Sequence, residues 1–484
     1  MKRYHIRTLF DIREIFKKED VMIFGLGGFP STRSEIWKII PYFEVITLNK
    51  TGEFNSVKEK IPLKFFSINK EKIIKKPEEL LNKLAVQAYI KKRAGGKRVG
   101  IYIYKSTQKI DLICKKNNWE LIANKSSIFK KVSSKKTFFK ILSSINYKRD
   151  FKILKFPQLE KSIDNLFAQF GERIVIQLLN EGGGRGTLFF DSKEASRVQE
   201  KIKERLELIK NKEKLEDMEL VISPFINGPA LSIMGCVTRD NGTLPLYAQY
   251  QLIDIPEVTG QKKDVQGGFC GHDWSLSRKI PPAIHEEARK LVIEIGKKLK
   301  EMGHLGIFGL DFMIDGKTGK IFPLEINPRL LGSFPTIVYV QYQKKEIPLV
   351  AFHLLDFLNI KYKIDSEKIY RKGSARNGAH IILFNPKNCD VKCNNELSGG
   401  VYKLSGNNLK FIRQGFDLSD IKSKNEFILT EGAPIINKIY KKNRKILKIL
   451  TAQSISTDKG KKLKKFGKDI IFQVYKKLNL THYE

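Results

Sequence analysis

The stretch of sequence that decides the fold is GIFGLDFMIDGKTGKIFPLEINPRL, residues 306–330. An Asp-Gly pair near its middle, followed three residues later by a glycine, is typical of a tight turn between antiparallel strands. If Asp315 pairs with Ile321 across that turn, the register places Asp311 directly opposite Glu325. The sequence therefore predicts a β-hairpin that holds two carboxylates side by side.

One face of this hairpin is predicted to be polar. Because side chains alternate along a strand, Asn327 shares the face of Glu325. Two residues further on, Arg329 would bring a planar cation to the same region, suited to a carboxylate or a phosphate. The side chains predicted to face a core on the other side are Leu310, Phe312, Leu324 and Ile326.

The opposed carboxylates of Asp311 and Glu325 need a physical explanation, because like charges whose side-chain roots lie roughly 5 Å apart repel each other. A fold tolerates the pair if a divalent cation lies between them. All-oxygen ligands suit Mg²⁺, which shares its remaining coordination sites with nucleotide phosphates. A solvated acidic hairpin is the alternative, but Pro328 ends the strand, and Gly332 favours close approach of the backbone to a ligand.

The composition indicates a large globular protein. The chain has 484 residues, of which 41% are hydrophobic, so we expect three or four packed units. The net charge of +37 lies in the flanks, since residues 181–340 hold 22 basic and 22 acidic residues, whereas the tail from Ile436 to Glu484 holds 14 and 3. The lysines form no arginine-rich or aromatic-interleaved element, so we do not expect a nucleic-acid partner. The net positive charge is the only feature of the sequence that supports a nucleic-acid-binding protein.

The termini and cysteines indicate a cytoplasmic protein. The N-terminus is charged and lacks the apolar stretch of a signal peptide, and no apolar run reaches the length of a membrane span. We therefore expect no membrane partner. The five cysteines are odd in number and scattered, which argues against a disulfide framework. Cys389 and Cys393 have no second Cys or His pair beside them, which argues against zinc.

The order of patterns predicts an α/β and α+β multidomain protein. Alternating strand and helix patterns over residues 1–125 indicate an N-terminal Rossmann-like α/β unit. Its glycine-rich segment, residues 21–30, has Pro30 where a dinucleotide fingerprint has its third glycine, so NAD binding is weakly supported. Short strand patterns over residues 366–484 predict a small β-rich C-terminal domain that ends in a basic helix.

Between these units, the chain resembles the ATP-grasp superfamily from about Ser126 to Phe334. The last motif of that superfamily commonly reads as a strand ending in Asp, a turn, and Glu-x-Asn-x-Arg. The resemblance implies a two-lobed ATP-grasp domain, with a small lobe over residues 126–225 and a large lobe over residues 226–365. It also implies ATP and Mg²⁺ as cofactors.

The resemblance assigns roles to the hairpin residues. In that family Asp311, Glu325 and Asn327 would be the magnesium ligands. Arg329 would steady the reactive acyl-phosphate or the acceptor carboxylate.

A glycine-rich loop precedes the hairpin in the chain. It comprises Gly182, Gly183, Gly184, Arg185, Gly186 and Thr187. Closely spaced glycines leave backbone N–H groups free to cradle phosphate oxygens. In ATP-grasp enzymes such a loop is a lid over the β- and γ-phosphates, and Arg185 would add positive charge there. A flexible hairpin turn is the structural alternative.

Two further positions match phosphate contacts of the superfamily. Lys136, at the head of a helix, matches the first phosphate-contacting cation, although Lys135 fits equally well and a solvated helix lysine is the alternative. The second phosphate lysine of the family usually lies on the strand before the lid, where this chain has Gln177. Glutamine can hydrogen-bond a phosphate or the adenine edge but adds no charge.

The segment Pro224, Phe225 and Ile226 matches the link between the two lobes, whose backbone meets the adenine edge in the family. The acceptor side is harder to interpret. Gln249 and Gln251 lie on one face of a strand, and a glycine-rich loop follows over residues 266–273. Its His272 is interpreted as a loop hydrogen-bonder rather than an acid–base group.

The resemblance implies an ATP-dependent carbon–nitrogen ligase. It would activate a small-molecule carboxylate as an acyl-phosphate and join it to a small-molecule amine, releasing ADP and phosphate. A bicarbonate-using carboxylase or carbamoyl-phosphate-type enzyme is the alternative within the superfamily. A basic nucleic-acid-binding protein and a non-catalytic ATP sensor are the alternatives outside it, and a homodimer is left open.

Overall fold

The computed structural model describes residues 3–66, 77–147, 150–179, 186–209, 213–259, 267–365, 376–406 and 408–483. Within these ranges the chain forms a mixed α/β structure with several sheets, as the sequence predicts. In the same ranges, each helix is too short or too polar to cross a membrane.

A five-stranded parallel sheet forms the N-terminal unit. In spatial order its strands are β4 (Leu63–Phe65), β3 (Phe43–Thr47), β2 (Val21–Gly27), β5 (Arg98–Tyr102) and β6 (Glu120–Ile122). Its helices are α1 (Leu9–Lys18), α2 (Phe54–Lys58), α3 (Pro77–Leu81), α4 (Leu84–Ala94) and α5 (Gln108–Asn117). Strand β2 is apolar and buried along its whole length, because α1 packs on one face of the sheet and α4 and α5 pack on the other.

A four-stranded antiparallel sheet forms a second unit, which we call the small lobe. In spatial order its strands are β7 (Lys152–Lys155), β10 (Glu219–Pro224), β8 (Arg173–Leu178) and β9 (Thr187–Asp191). Its helices are α8 (Leu159–Phe170) and α9 (Val198–Ile209). Alternate residues of β8 are buried, and they pack in one core with the apolar faces of both helices.

Two short helices, α6 (Ser126–Val132) and α7 (Lys135–Ser144), connect the N-terminal unit to the small lobe. Their apolar side chains pack in the same core as the long helix α11 (Pro282–Glu301). Helix α11 starts with a proline at its first position and buries side chains three or four residues apart, as the amphipathic pattern predicts.

An eleven-stranded sheet, which we call the central sheet, runs through the rest of the molecule. In spatial order its strands are β16 (Ile321–Asn327), β15 (Gly306–Ile314), β11 (Ala230–Val237), β13 (Gln249–Ile253), β14 (Phe269–Asp273), β18 (Ala379–Phe384), β24 (Lys445–Thr451), β22 (Glu426–Thr430), β20 (Gly400–Ser405) and β21 (Asn408–Arg413), with β12 (Thr243–Pro245) beside β11. Antiparallel pairing of β14 with β18 joins the strands around the hairpin to the C-terminal strands.

Helices cover both faces of the central sheet. Helix α11 packs on one face, and α12 (Phe334–Gln343) and α13 (Leu349–Phe357) pack on the other, together with the N-terminal unit. Short elements complete the fold. They are the parallel pair β1 (Tyr4–His5) and β17 (Tyr362–Lys363), the small sheet of β23 (Ile439–Tyr440), β19 (Val391–Cys393) and β27 (Leu480–His482), the pair β25 (Ser456–Thr457) and β26 (Lys462–Leu463), α10 (Pro256–Thr259), and the C-terminal helix α14 (Lys465–Leu478).

Candidate active site

The hairpin of β15 and β16, which we call the metal hairpin after its predicted magnesium ligands, places Asp311 directly opposite Glu325, as the sequence predicts. The predicted register is wrong nearer the turn. Ile321 pairs with Ile314 rather than with Asp315, a difference of one residue.

A β-bulge restores the predicted pairing of the two acids. Phe312 pairs with Pro323 while Asp311 pairs with Glu325, so Leu324 is the extra residue on its strand. The prediction that Leu324 faces the core is therefore wrong. Pro323 is buried in that position instead, and Leu324 is partly exposed.

The two carboxylates share a hydrogen-bond donor. Nδ2 of Asn327 donates to Oδ2 of Asp311 at 2.9 Å and to Oε1 of Glu325 at 3.1 Å. On the far side of Asp311, Nε2 of Gln251 donates to Oδ1 at 2.8 Å. The predicted ligand set therefore lies together on one face of the central sheet, and Gln251 on β13 joins it.

This cluster fits a divalent cation. Burial, followed by the charge of Glu325, raises the pKa of Asp311 to about 7, so the fold holds the acid pair at an energetic cost. The amide N–H groups of Asn327 occupy the space between the carboxylates where positive charge is needed. The two carboxylates provide hard oxygen donors that Mg²⁺ prefers, and the amide oxygen of Asn327, which accepts from Arg329 in this structure, would join them if the amide turned.

Arg329 connects this cluster to the N-terminal unit. Its Nη2 donates to Oδ1 of Asn327 at 2.9 Å, and its guanidinium lies 4.7 Å from the ring centroid of Tyr104. Next to that ring, burial and then the charge of Arg329 lower the pKa of Lys105. Two cations therefore lie near the metal hairpin where the N-terminal unit meets it, a suitable environment for an anionic group.

Most of the predicted lid lies outside the described residues, namely Gly182, Gly183, Gly184 and Arg185. Its C-terminal end is described. The carbonyl of Gly186 accepts a hydrogen bond from the Leu178 amide at 2.8 Å, and Thr187 begins β9. Nε2 of Gln177 donates to Oγ1 of Thr187 at 3.3 Å, so Gln177 lies where the lid leaves the sheet.

The two candidate lysines of α7 have different partners. The ammonium of Lys136 forms an ion pair with Glu219 on β10. The ammonium of Lys135 donates to the carbonyl of Leu178 at 2.8 Å, next to Gln177. Of the two, Lys135 reaches the strand that leads into the lid.

The segment Pro224–Ile226 links the small lobe to the central sheet, and all three residues are partly exposed. The Phe225 ring packs 5.7 Å from the Phe189 ring, nearly perpendicular to it, and lies 4.2 Å from the guanidinium carbon of Arg173. Two residues after Ile226, the backbone passes so close to the turn of the metal hairpin that a Cβ on Gly228 would lie 1.7 Å from a carbonyl oxygen.

A family model of the ATP-grasp domain matches residues 152–333. These residues form an ATP-grasp domain. The domain contains the whole small lobe, the link and the metal hairpin with Arg329. The N-terminal unit, α7 and the C-terminal strands lie outside the matched range. No curated protein matches the sequence.

Three solved structures share the fold. The biotin carboxylase domain of 2-oxoglutarate carboxylase from Hydrogenobacter thermophilus, a dimer in complex with MgADP, ADP and bicarbonate, has a TM-score of 0.56 at 12% identity, over 89% of this chain and 86% of that one. Phosphoribosylamine–glycine ligase from Thermotoga maritima has a TM-score of 0.55 at 14% identity, over 95% of this chain and 97% of that one. Biotin carboxylase from Campylobacter jejuni has a TM-score of 0.54 at 12% identity, over 90% of this chain and 89% of that one. At these identities the likeness shows the fold alone.

Next to the ATP-grasp domain's metal hairpin, Gln249 and Gln251 lie on strand β13, as the sequence predicts. Gln249 is fully buried, and with its amide oriented to satisfy its surroundings, the nitrogen donates to the Tyr247 carbonyl at 2.9 Å and to the Ser232 carbonyl at 3.1 Å. The interpretation of His272 as a loop residue is wrong, because it lies on β14 and is 3% exposed. Its ring nitrogens lack hydrogen-bond partners among the described residues.

Sequence reasoning missed several residues on this side. His380 on β18 pairs across the sheet with His272. Lys448 on β24 is buried, donates to the Gly332 carbonyl at 2.9 Å and forms an ion pair with Glu431. The available signal was a polar residue with apolar neighbours on both sides within a strand, as His380 in AHIILF and Lys448 in KILKILT.

The predicted absence of a zinc site was based on the isolated position of Cys389 and Cys393. All five cysteines are unpaired thiols. Among the described residues, His, Cys, Asp and Glu form no group of three that could hold a metal ion.

Proposed function

We propose that this protein is an ATP-dependent carbon–nitrogen ligase that activates a carboxylate as an acyl-phosphate and joins it to an amine. The observation that supports this proposal is the pair of opposed carboxylates, Asp311 and Glu325, bridged by Asn327 inside an ATP-grasp domain. Such a pair is expensive to hold without a cation. Its place on the hairpin suits Mg²⁺ that carries a nucleotide.

In this proposal Asp311, Glu325 and Asn327 hold the magnesium. When bound, Mg·ATP supplies the γ-phosphoryl group and the positive charge that offsets the phosphate oxygens. Arg329, already oriented by Asn327 and Tyr104, holds the substrate carboxylate next to the transferred phosphoryl group.

The small lobe covers the nucleotide. The predicted lid of Gly182, Gly183, Gly184, Arg185, Gly186 and Thr187 lies over the phosphates, with Gln177 at its base. Either Lys136 or Lys135 contacts a phosphate, and we favour Lys135 because its ammonium reaches Leu178, on the strand that leads into the lid. The link of Pro224, Phe225 and Ile226 borders the adenine.

The chemistry requires two transfers. An oxygen of the substrate carboxylate attacks the γ-phosphorus, the bond to the β-phosphate oxygen breaks, and ADP leaves. The amine nitrogen then attacks the carbonyl carbon of the acyl-phosphate, and inorganic phosphate leaves as the amide forms. The chain mainly positions reactants and excludes water from the acyl-phosphate.

A screen for ADP release tests the proposal. Purified protein is incubated with Mg·ATP and pairs of small carboxylates and amines, including amino acids and peptides. A pair that gives equal amounts of ADP and a new amide supports the ligase. ADP release that depends on bicarbonate, with no response to any amine, would assign the protein to the carboxylases instead.

The variant Glu325→Gln tests the site itself. It should lose ATP turnover while the protein stays folded, because glutamine keeps the shape and removes the charge. Glu204→Gln, on the exposed face of α9, is the matched control and should keep full activity. Full activity of Glu325→Gln would rule the site out.

The setting of the reaction is part of the proposal. We propose that the protein works in the cytoplasm on small molecules, and salt-dependent retention on DNA would contradict this. The division into units at residues 1–125, 126–225, 226–365 and 366–484 stays a prediction that limited proteolysis checks. The homodimer also stays a prediction, and analytical ultracentrifugation measures it.

A further inference from the structure

A row of polar side chains crosses the central sheet from the metal hairpin to the C-terminal strands. Asp311 pairs with Ser232 on β11, and Gln251 on the next strand pairs with His272. His272 in turn pairs with His380. Directly opposed residues point to the same face of a sheet, so these side chains lie on the face that holds the acids.

Gln251 sets the distance between the two ends of this row. Its amide contacts Asp311 at 2.8 Å, and its backbone lies opposite His272 on the neighbouring strand. His272 on β14 lies three strands from Asp311 on β15, and adjacent strands are about 4.8 Å apart, so the two backbones are separated by at least about 14 Å. A γ-phosphoryl group and an acyl group fit within that distance.

The two histidines are buried without hydrogen-bond partners. His272 is 3% exposed and His380 is 0% exposed, and both nitrogens of both rings lack a partner among the described residues. The ring centroids are 5.4 Å apart, with Trp274 5.4 and 5.3 Å from them. Each unsatisfied buried polar group costs about 1–3 kcal/mol, so these nitrogens are complementary to a ligand that provides hydrogen bonds.

The surroundings keep both imidazoles neutral. Burial lowers the pKa of His272 to about 3, with a contribution from Lys448, and burial also holds the pKa of His380 well below its usual value. The charged groups that act on them are Lys445 and Lys448 on β24. Glu431 forms ion pairs with both lysines, and Arg33 of the N-terminal unit lies near Lys448. A neutral imidazole offers a lone pair, and a protonated primary amine offers three N–H donors.

We propose that His272 and His380 form the subsite for the acceptor amine and take its proton. This inference rests on the proposed ligase function and assigns the acceptor as a primary amine. The ammonium donates to one nitrogen of each imidazole. One imidazole lone pair then removes a proton, the freed nitrogen lone pair attacks the acyl carbon, and the other imidazole takes a second proton from that nitrogen as the carbon–oxygen bond to phosphate breaks.

Each proton leaves as imidazolium and passes to solvent or to the departing phosphate. Anionic phosphate next to the row raises the proton affinity of the imidazoles at the stage when the base is needed. Before the nucleotide binds, the same imidazoles are neutral and ready to accept the amine.

Two nucleophiles distinguish this role from a structural one. Hydroxylamine is mostly unprotonated at neutral pH and needs no base, whereas methylamine is almost entirely protonated. We would measure hydroxamate and N-methylamide formation with Mg·ATP and a panel of small carboxylates for the wild type, His272→Gln and His380→Gln. The control is His304→Gln, a buried histidine near Asn124 on another part of the fold.

The expected result is specific to the amine step. The two variants should form hydroxamate at close to the wild-type rate but lose about 100-fold or more in N-methylamide formation at neutral pH. The deficit should shrink as the pH rises and methylamine loses its proton. The His304→Gln control should match the wild type with both nucleophiles.

Several outcomes would overturn the assignment. Equal losses with both nucleophiles would mean that the histidines only support the fold, which thermal unfolding of each variant would also reveal. No loss with methylamine, or a wild type that forms hydroxamate but no methylamide, would place the amine elsewhere. A wild type that forms neither product with any carboxylate would refute the ligase function as well.

Discussion

Replacing Glu325 by glutamine should stabilise the metal-free protein while abolishing its response to Mg·ATP. The carboxylate oxygens of Asp311 and Glu325 lie within about 6 Å of each other, since Nδ2 of Asn327 is 2.9 Å from one and 3.1 Å from the other. At an effective dielectric constant of about 20, two unit charges at that separation repel by about 3 kcal/mol. Neighbouring donors and solvent reduce this, so we expect a gain of about 1–3 kcal/mol in the free energy of unfolding.

The gain should depend on pH. The folded-state pKa of Asp311 is raised to about 7, so between about pH 4 and pH 7 the folded state binds more protons than the unfolded state. The stability of the metal-free wild type therefore falls as the pH rises through that window. Because Glu325→Gln removes one cause of the raised pKa, the variant should gain little at about pH 5 and most at about pH 8.

Thermal unfolding followed by circular dichroism measures both effects. Scans in EDTA report the repulsion, and scans in excess Mg·ATP report binding, because a ligand at 100 times its Kd adds about 2.7 kcal/mol to the folded state. The wild type should gain this stabilisation and Glu325→Gln should not. Glu204→Gln should behave as the wild type in every scan.

Two results would refute the reasoning. If Glu325→Gln is no more stable than the wild type in EDTA at about pH 8, the acid pair is not held against its own repulsion. If the variant gains as much stability from Mg·ATP as the wild type, the hairpin is not the metal site. The first result would leave nucleotide binding untouched, so the two failures are distinguishable.

Three further variants probe the surroundings of the site. Gln251→Leu removes the amide that orients Asp311 and should weaken Mg·ATP binding about 10-fold in calorimetry, and unchanged affinity would contradict that role. Gly228→Ala places a Cβ 1.7 Å from the Ile314 carbonyl oxygen and should cost about 1–3 kcal/mol of stability, whereas an unchanged unfolding midpoint would show that the backbone adapts freely. Burial raises the pKa of Asp356 to about 7, so its ionisation destabilises the fold as the pH rises from about 4 to 7. Asp356→Asn should therefore stabilise the protein at about pH 8 but not at about pH 4. A variant that raises the thermal unfolding midpoint at about pH 4 but not at about pH 8 would contradict this explanation.

The metal hairpin could be predicted because its information is local. Alternation of side chains and an Asp-Gly turn placed Asp311 and Glu325 on one face without knowledge of any other strand. The register near the turn could not be predicted, because a bulge at Leu324 shifts the pairing and leaves no trace in the hydrophobic periodicity.

The acceptor side could not be predicted because it depends on distant parts of the chain. His272 and His380 become neighbours only when β14 pairs with β18, more than a hundred residues later in sequence. Lys448 joins them from a third strand. In the sequence His380 and Lys448 are polar residues between apolar ones, which is equally consistent with satisfied core residues.

The pairing of β14 with β18 has a consequence for how such an enzyme can be cut or recombined. A fragment that ends after the matched domain would leave one long strand edge without its neighbour, and unpaired edges promote aggregation. Exchange of the C-terminal part between relatives would also have to preserve the register of its five strands in the central sheet. Gene fusion and domain shuffling should therefore succeed at the outer ends of the chain, and chimaeras joined between residues 273 and 379 should be insoluble unless both halves come from one parent.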